Sequence, residues 1–254
     1  MFVKFCLMVL TLATAGAASA QSSAARVVYD SRIQTPEPRL TELERGRVKY
    51  LAGLAMEARL WDDADFRASD TCAGQDFAIN GVAPGAFTVK GAQQTAYLYM
   101  YCYFRPGWSQ GLVITQGNQV VAHYVFTNLV SSLYALKDIN QNGFTELVLE
   151  GGFTAQGGTE GYIEIAELQP QRRLLAQFKY DNQLQPYSDN CGAVETGGIW
   201  TSQVIRVTPG KNPQFTAQKI QGKCENERVA TLTGALRPLK VQPLPTGWLS
   251  APLR

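Results

Sequence analysis

Thr95-Ala96-Tyr97-Leu98-Tyr99-Met100-Tyr101-Cys102-Tyr103-Phe104 carries a tyrosine at every second position from Tyr97 to Tyr103. A period of two is the period of a β-strand, whose successive side chains point to opposite faces. Two further β-branched runs follow, Gly111 to Thr115 and Gln119 to Phe126. Gln116-Gly117-Asn118 between them has the composition of a hairpin turn. The tyrosine stripe has two readings. Either it is core, a sheet face covered by another element, or it is an open stacking face for sugars or bases.

The same texture extends outward. Runs expected as strands are Val27 to Tyr29, Phe87 to Val89, Ser132 to Leu136, Thr145 to Glu150, Tyr162 to Leu168, Leu174 to Tyr180, Ile199 to Thr208, Gln214 to Ile220 and Arg228 to Thr233. Pro209-Gly210 marks a turn, and Gly151 to Gly161 reads as a flexible β-loop. Short strands at this spacing predict a mainly β fold with antiparallel pairing. Upstream, Leu40, Leu43, Leu51, Leu54, Ala58 and Trp61 recur at helical steps after Thr35-Pro36-Glu37. They predict one amphipathic N-terminal helix over 37–61, packed on the main body. Asp62, Asp63, Asp65 and Asp70 then form an acidic cluster, either a cation site or a solvated loop.

Composition bounds the function classes. The 254 residues are 45% hydrophobic and 17% charged, with a formal charge of +2. That content excludes a mostly disordered chain, and that charge excludes the basic footprint of a nucleic-acid binder. Lys4, the apolar run from Phe5 to Ala13 and the small residues Ala18-Ser19-Ala20 predict a signal peptide over 1–20. No later stretch is long and apolar enough to span a bilayer. The expected compartment is secreted or periplasmic. The expected organisation is a signal peptide (1–20), a flexible leader (21–35), a helix with an acidic loop (36–70), a β-rich domain (71–237) and a proline-rich extended tail (238–254).

Cys6 leaves with the signal, so Cys72, Cys102, Cys191 and Cys224 remain. An even count in an exported chain predicts two disulfides. Of three connectivities, Cys72–Cys102 and Cys191–Cys224 are favoured because each closes a local loop. Such wide spacing, with a single His in the chain, argues against zinc.

Asp138-Ile139-Asn140-Gln141-Asn142-Gly143-Phe144-Thr145-Glu146 is the stretch with chemistry. Oxygen side chains at alternate positions converge when the chain coils tightly, and Gly143 permits the left-handed turn that closes the coil. A hard cation such as calcium takes that set of oxygens. An EF-hand is excluded, because loop position twelve is Leu149 and the flanks read as strands. The stretch resembles the calcium loop of FG-GAP and VCBS repeats, over about 15 residues. That resemblance implies Asp138, Asn140, Asn142 and Glu146 as ligands of a structural Ca2+. It also implies a partial-propeller-like fold beside the sandwich or single curved sheet that the strands alone allow. Two Asn ligands limit the charge and set an expected affinity on the order of 0.1–1 mM. The alternative is an Asn-Gly turn held by its own side chains.

Catalytic patterns do not cohere. Gly107-Trp108-Ser109-Gln110-Gly111 matches a nucleophile elbow, but a strand follows it where the elbow needs a helix. The only histidine, His123, lies in an apparent strand. Glu146, Glu150, Glu160 and Glu164 offer carboxylates without a spacing that singles out two. Trp108 and Trp200 lie near glycine-rich turns that could form a groove. The expectation is an exported, non-enzymatic binding or envelope-associated module whose ligand is a protein or a glycan. A hydrolase acting on a glycan or ester is the alternative.

Overall fold

The protein is described from a computed structural model that covers residues 24–33, 35, 37–57, 77–103, 108–126, 129–179, 185–193, 197–226 and 229–251. In chain order the elements are β1 (Arg26–Tyr29), α1 (Glu42–Glu57), β2 (Ala78–Gly85), β3 (Gln94–Tyr103), β4 (Trp108–Gln116), β5 (Gln119–Phe126), β6 (Val130–Lys137), β7 (Thr145–Ala155), β8 (Gly158–Glu167), β9 (Arg173–Phe178), β10 (Tyr187–Asp189), β11 (Ile199–Thr208), β12 (Gln214–Lys223), β13 (Ala230–Leu232), β14 (Arg237–Leu239) and β15 (Leu249–Ser250). Among the described residues the fold is mainly β, with two antiparallel sheets and one helix.

The smaller sheet runs β15-β5-β4-β3-β2. The larger has ten strands on the path β13-β12-β11-β10-β8-β7-β6, with β1 on β11, β14 on β12 and β9 on β8. Between the two sheets lies a core of Leu98, Leu112, Ile114, Phe126, Leu133, Leu147 and Leu149. The larger sheet also encloses a second core of its own, around Val28, Val148, Ile163, Ile165, Phe178, Ile205 and Phe215.

The tyrosine stripe lies in the third layer. Tyr97 and Tyr99 are buried with Val48, Leu51 and Ala52 of α1, while Leu98 on the other face enters the inter-sheet core. At Tyr97, Tyr99 and Tyr101 the stripe is therefore a sheet face covered by the helix. Each large side chain buried there contributes on the order of 1.5–3 kcal/mol.

The helix is shorter than its apolar periodicity suggests. It starts at Glu42 rather than Glu37, and residues 58–61, with the Asp62–Asp70 cluster, lie outside the described residues. A capping box decides the start. The Thr41 backbone N–H donates to Glu44 Oε2 at 2.9 Å, and the Glu44 N–H donates back to Thr41 Oγ1 at 3.2 Å.

One expected strand and one expected loop are corrected. Phe87–Val89 is a turn, because the Phe87 and Thr88 N–H groups both donate to Gln94 Oε1, at 2.8 and 2.9 Å. Gly151–Gly161 is no loop. β7 and β8 pair continuously to Ala155↔Gly158 around Gln156 and Gly157, whose φ angles of 52° and 79° suit a tight hairpin. β2 was not foreseen at all.

The chain beyond Pro238 joins the sheets. β14 pairs with β12, Leu244 exchanges backbone hydrogen bonds with Leu174, and β15 pairs with β5. Between these anchors Trp248 is buried against Phe126, with ring centroids 4.9 Å apart.

Candidate functional site

β6 and β7 pair up to Lys137↔Thr145, so residues 138–144 alone connect them. Asp138, Gln141 and Gly143 have φ of 40°, 60° and 89°, which winds the connection into a coil. Its own side chains hold it. Asp138 Oδ1 accepts the Asn142 N–H at 2.8 Å, and Asp138 Oδ2 accepts the Gly143 N–H at 3.1 Å. Asn140 Oδ1 accepts from Asn142 N at 3.2 Å, and Asn142 Oδ1 from Phe144 N at 2.9 Å. The fully buried Ile139 side chain pins the coil into the core of the larger sheet. The Gly210 N–H, in the β11–β12 turn, donates to Ile139 O at 2.9 Å.

Two carboxylates lie beneath the coil. Glu146 is fully buried, and its Oε2 accepts the Ile139 N–H at 3.0 Å. Its Oε1 is buried with no hydrogen-bond partner among the described residues. Burial pushes the Glu146 carboxyl up to about 7, against two backbone hydrogen bonds and with the Asp138 and Glu167 charges adding to the rise. Glu167, also fully buried, lies on β8 opposite Glu146 of β7, one step beyond the Leu147↔Ala166 pair. Arg173 Nε donates to Glu167 Oε1 at 3.0 Å, and the side-chain amides of Asn140 and Asn142 both donate to Oε2.

The four expected ligands therefore come together, Asp138, Asn140 and Asn142 on the coil and Glu146 beneath it on β7, and Glu167 joins them. Glu167 escapes a reading of local spacing, since only the β7–β8 register brings it there. Among the described residues, no three of His, Cys, Asp and Glu are grouped to hold a metal, so a cation here would draw on the amide oxygens. The donor set fits one. Among the described residues Glu146 Oε1 has no hydrogen-bond partner, and each amide oxygen of Asn140 and Asn142 spends one of two lone pairs on its backbone hydrogen bond. The coil, Glu146 and Glu167 carry three carboxylates, with the Arg173 guanidinium on Glu167 and the Lys90 side chain against Gly143 and the Phe144 ring.

Among the described residues the catalytic patterns are not brought together. His123 is buried, its Nε2 2.9 Å from the Tyr99 hydroxyl, and burial pushes its pKa down to about 4. The β4–β5 register sets His123 opposite Val113, four strand residues or about 13 Å from the Ser109 backbone. Glu164 pairs with Leu149, so it faces the opposite side of the sheet from Glu146 and Glu150. Glu146 and Glu150 share a face, with Cα atoms about 13 Å apart. Separate partners hold their carboxyls, Ile139 N for one and Ser132 Oγ for the other. Glu160 pairs with Phe153 close to the Gln156–Gly157 turn of the hairpin.

Cys191 and Cys224 form a disulfide with Cα atoms 5.5 Å apart, tying the segment after β10 to the end of β12. Cys72 and the Cys102 side chain lie outside the described residues. So does the Trp108 side chain, whereas Trp200 is buried and stacked on Tyr187 at 6.3 Å.

No protein-family model, curated protein or solved structure matches this chain. The fold and site define its class: a two-sheet antiparallel β protein with a helix on one face and an oxygen-rich coil between β6 and β7.

Proposed function

We propose that the protein is an exported, non-enzymatic binding or envelope-associated module whose Asp138–Glu146 coil is a structural calcium site. The observation that carries the calcium reading is the buried, unpartnered Glu146 Oε1 beneath a coil of Asp138, Asn140 and Asn142. A buried carboxylate oxygen without a partner is costly, and a divalent cation offsets that cost together with the repulsion from Asp138 and Glu167. A bound calcium ion supplies charge and rigidity here, not chemistry on a substrate. Asp138 orients the backbone of the coil, Asn140 and Asn142 lend amide oxygens, and Arg173 holds Glu167 in place.

The signal-like N-terminus and the Cys191–Cys224 disulfide support export. The dispersal of Ser109, His123 and the glutamates over separate positions and faces supports a role without turnover. The test is a thermal melt in EDTA and in a calcium series. The proposal expects calcium to raise the melting temperature and Asp138→Ala to abolish the rise. An unchanged melting temperature at millimolar calcium would reduce the coil to a self-capped turn.

A further inference from the structure

On the face of the larger sheet away from the helix, β1, β6, β7, β10 and β11 border a cleft of about 570 Å3. That volume is in the range of small-ligand sites. Glu150 of β7 stands in it, and Ser132 Oγ donates to Glu150 Oε2 at 2.9 Å. Tyr29 and Tyr187 contribute rings, with Trp200 stacked behind Tyr187. Ser31 lines the cleft with a buried hydroxyl that has no hydrogen-bond partner among the described residues.

The charges are one-sided. Glu150 and Glu37 both line the cleft, and no Lys, Arg or His does so among the described residues. Arg32, between the lining residues Ser31 and Ile33, is ion-paired with Asp30 at 2.6 Å. The hydrogen-bond partners of Glu150 are neutral hydroxyls, Ser132 and Tyr134. An anion entering here meets two carboxylates, and a neutral polyol leaves Glu150 without a counter-charge. A cation with an apolar stem satisfies both the carboxylate and the aromatic rings, through charge pairing and cation–π attraction.

We propose that this cleft binds a small organic cation, an ammonium group on a short apolar chain, with Glu150 as its counter-charge and Tyr29 and Tyr187 as its aromatic walls. The inference deepens the binding-module reading and rests on it, but not on the calcium coil. Burial pushes the Glu150 carboxyl upward, as an unpaired acid in such a wall requires, and an arriving ammonium would reverse that shift.

The experiment is isothermal titration of the whole protein with 1,5-diaminopentane, beside its neutral analogue 1,5-pentanediol and the disaccharide cellobiose. The expected result is saturable binding of the diamine alone, weakened roughly tenfold or more by Glu150→Gln. Glu37→Gln, at an exposed rim position, should weaken binding severalfold without risk to the fold. Absence of diamine binding at millimolar concentration overturns the proposal. So does diol or cellobiose binding as tight as the diamine's, or diamine binding unchanged in both variants. Melts of the same samples with calcium separate the two readings. A calcium response without diamine binding defeats only the cleft, and diamine binding without a calcium response defeats only the coil.

Discussion

Gly111 illustrates how tightly single residues are set. A Cβ there would lie 2.3 Å from the Tyr99 hydroxyl and 2.5 Å from the Tyr124 carbonyl oxygen. Neither the buried tyrosine nor the strand backbone has room to move. Gly111→Ala should therefore destabilise the fold by about 1–3 kcal/mol, measured by urea denaturation. An unchanged midpoint would mean that Tyr99 is not held as described. His123, on the same tyrosine, gives a pH signature. Its folded pKa of about 4 lies below the ordinary 6.5, so the unfolded chain binds its proton first as the pH falls. His123 therefore supports the fold fully above about pH 6.5 and loses that support as the pH drops towards 4, by about 3 kcal/mol. Glu146, Glu150 and Glu164 are shifted upward and work in the opposite sense, favouring the fold at low pH. The difference between the wild-type and His123→Gln stability profiles isolates the histidine, and parallel profiles would refute the assignment. Ser109, Gln110 and Gly111 all lie within β4, whereas a nucleophile elbow needs a turn from a strand into a helix. The constraint on Gly111 is a close approach between strands, which no local pattern carries.

At the scale of elements, legibility followed the range of the interaction. The alternation in β3 and the turn before β5 are contained within a few residues, and both are plain in the chain. The Asp138–Glu146 coil is equally local, because each stabilising oxygen lies two to five residues from the N–H that it accepts, apart from the Glu146 bond to Ile139. Glu167 was hidden because its position depends on carrying the β7–β8 pairing through Gly151 and Gly152 to the Gln156–Gly157 turn. The helix start is legible in the chain. Thr41-Glu42-Leu43-Glu44 is a capping box, whereas the Pro36 signal points to a start at Glu37, five residues too early. Thr41→Ala should cost about 1 kcal/mol in chemical denaturation. A variant as stable as the wild type would show that packing on Tyr97 and Tyr99, not the cap, holds the helix.

At the scale of the molecule, two long-range devices hold the sheets. The tail runs from β14 to β15 with Trp248 packed on Phe126 and Tyr124 between the sheets. Trp248→Ala should lower stability by about 3–5 kcal/mol, the cost of emptying an aromatic site in a core. A loss well below 1 kcal/mol would make the tail a surface ornament. The Cys191–Cys224 bridge closes a separation of 33 residues, and its removal in a Cys191→Ser, Cys224→Ser variant should cost about 3 kcal/mol. The four prolines after residue 237 announce an extended tail, but the anchoring of Trp248 depends on how the two sheets meet. The proposal that the β6–β7 coil holds calcium is tested most directly by a calcium titration followed by 15N–1H correlation NMR. Saturable shifts are expected, confined to the amides of 138–146 and around Glu167, with a dissociation constant on the order of 0.1–1 mM. Amides of the coil that stay in place to millimolar calcium, or that move equally in Glu146→Gln, would contradict it.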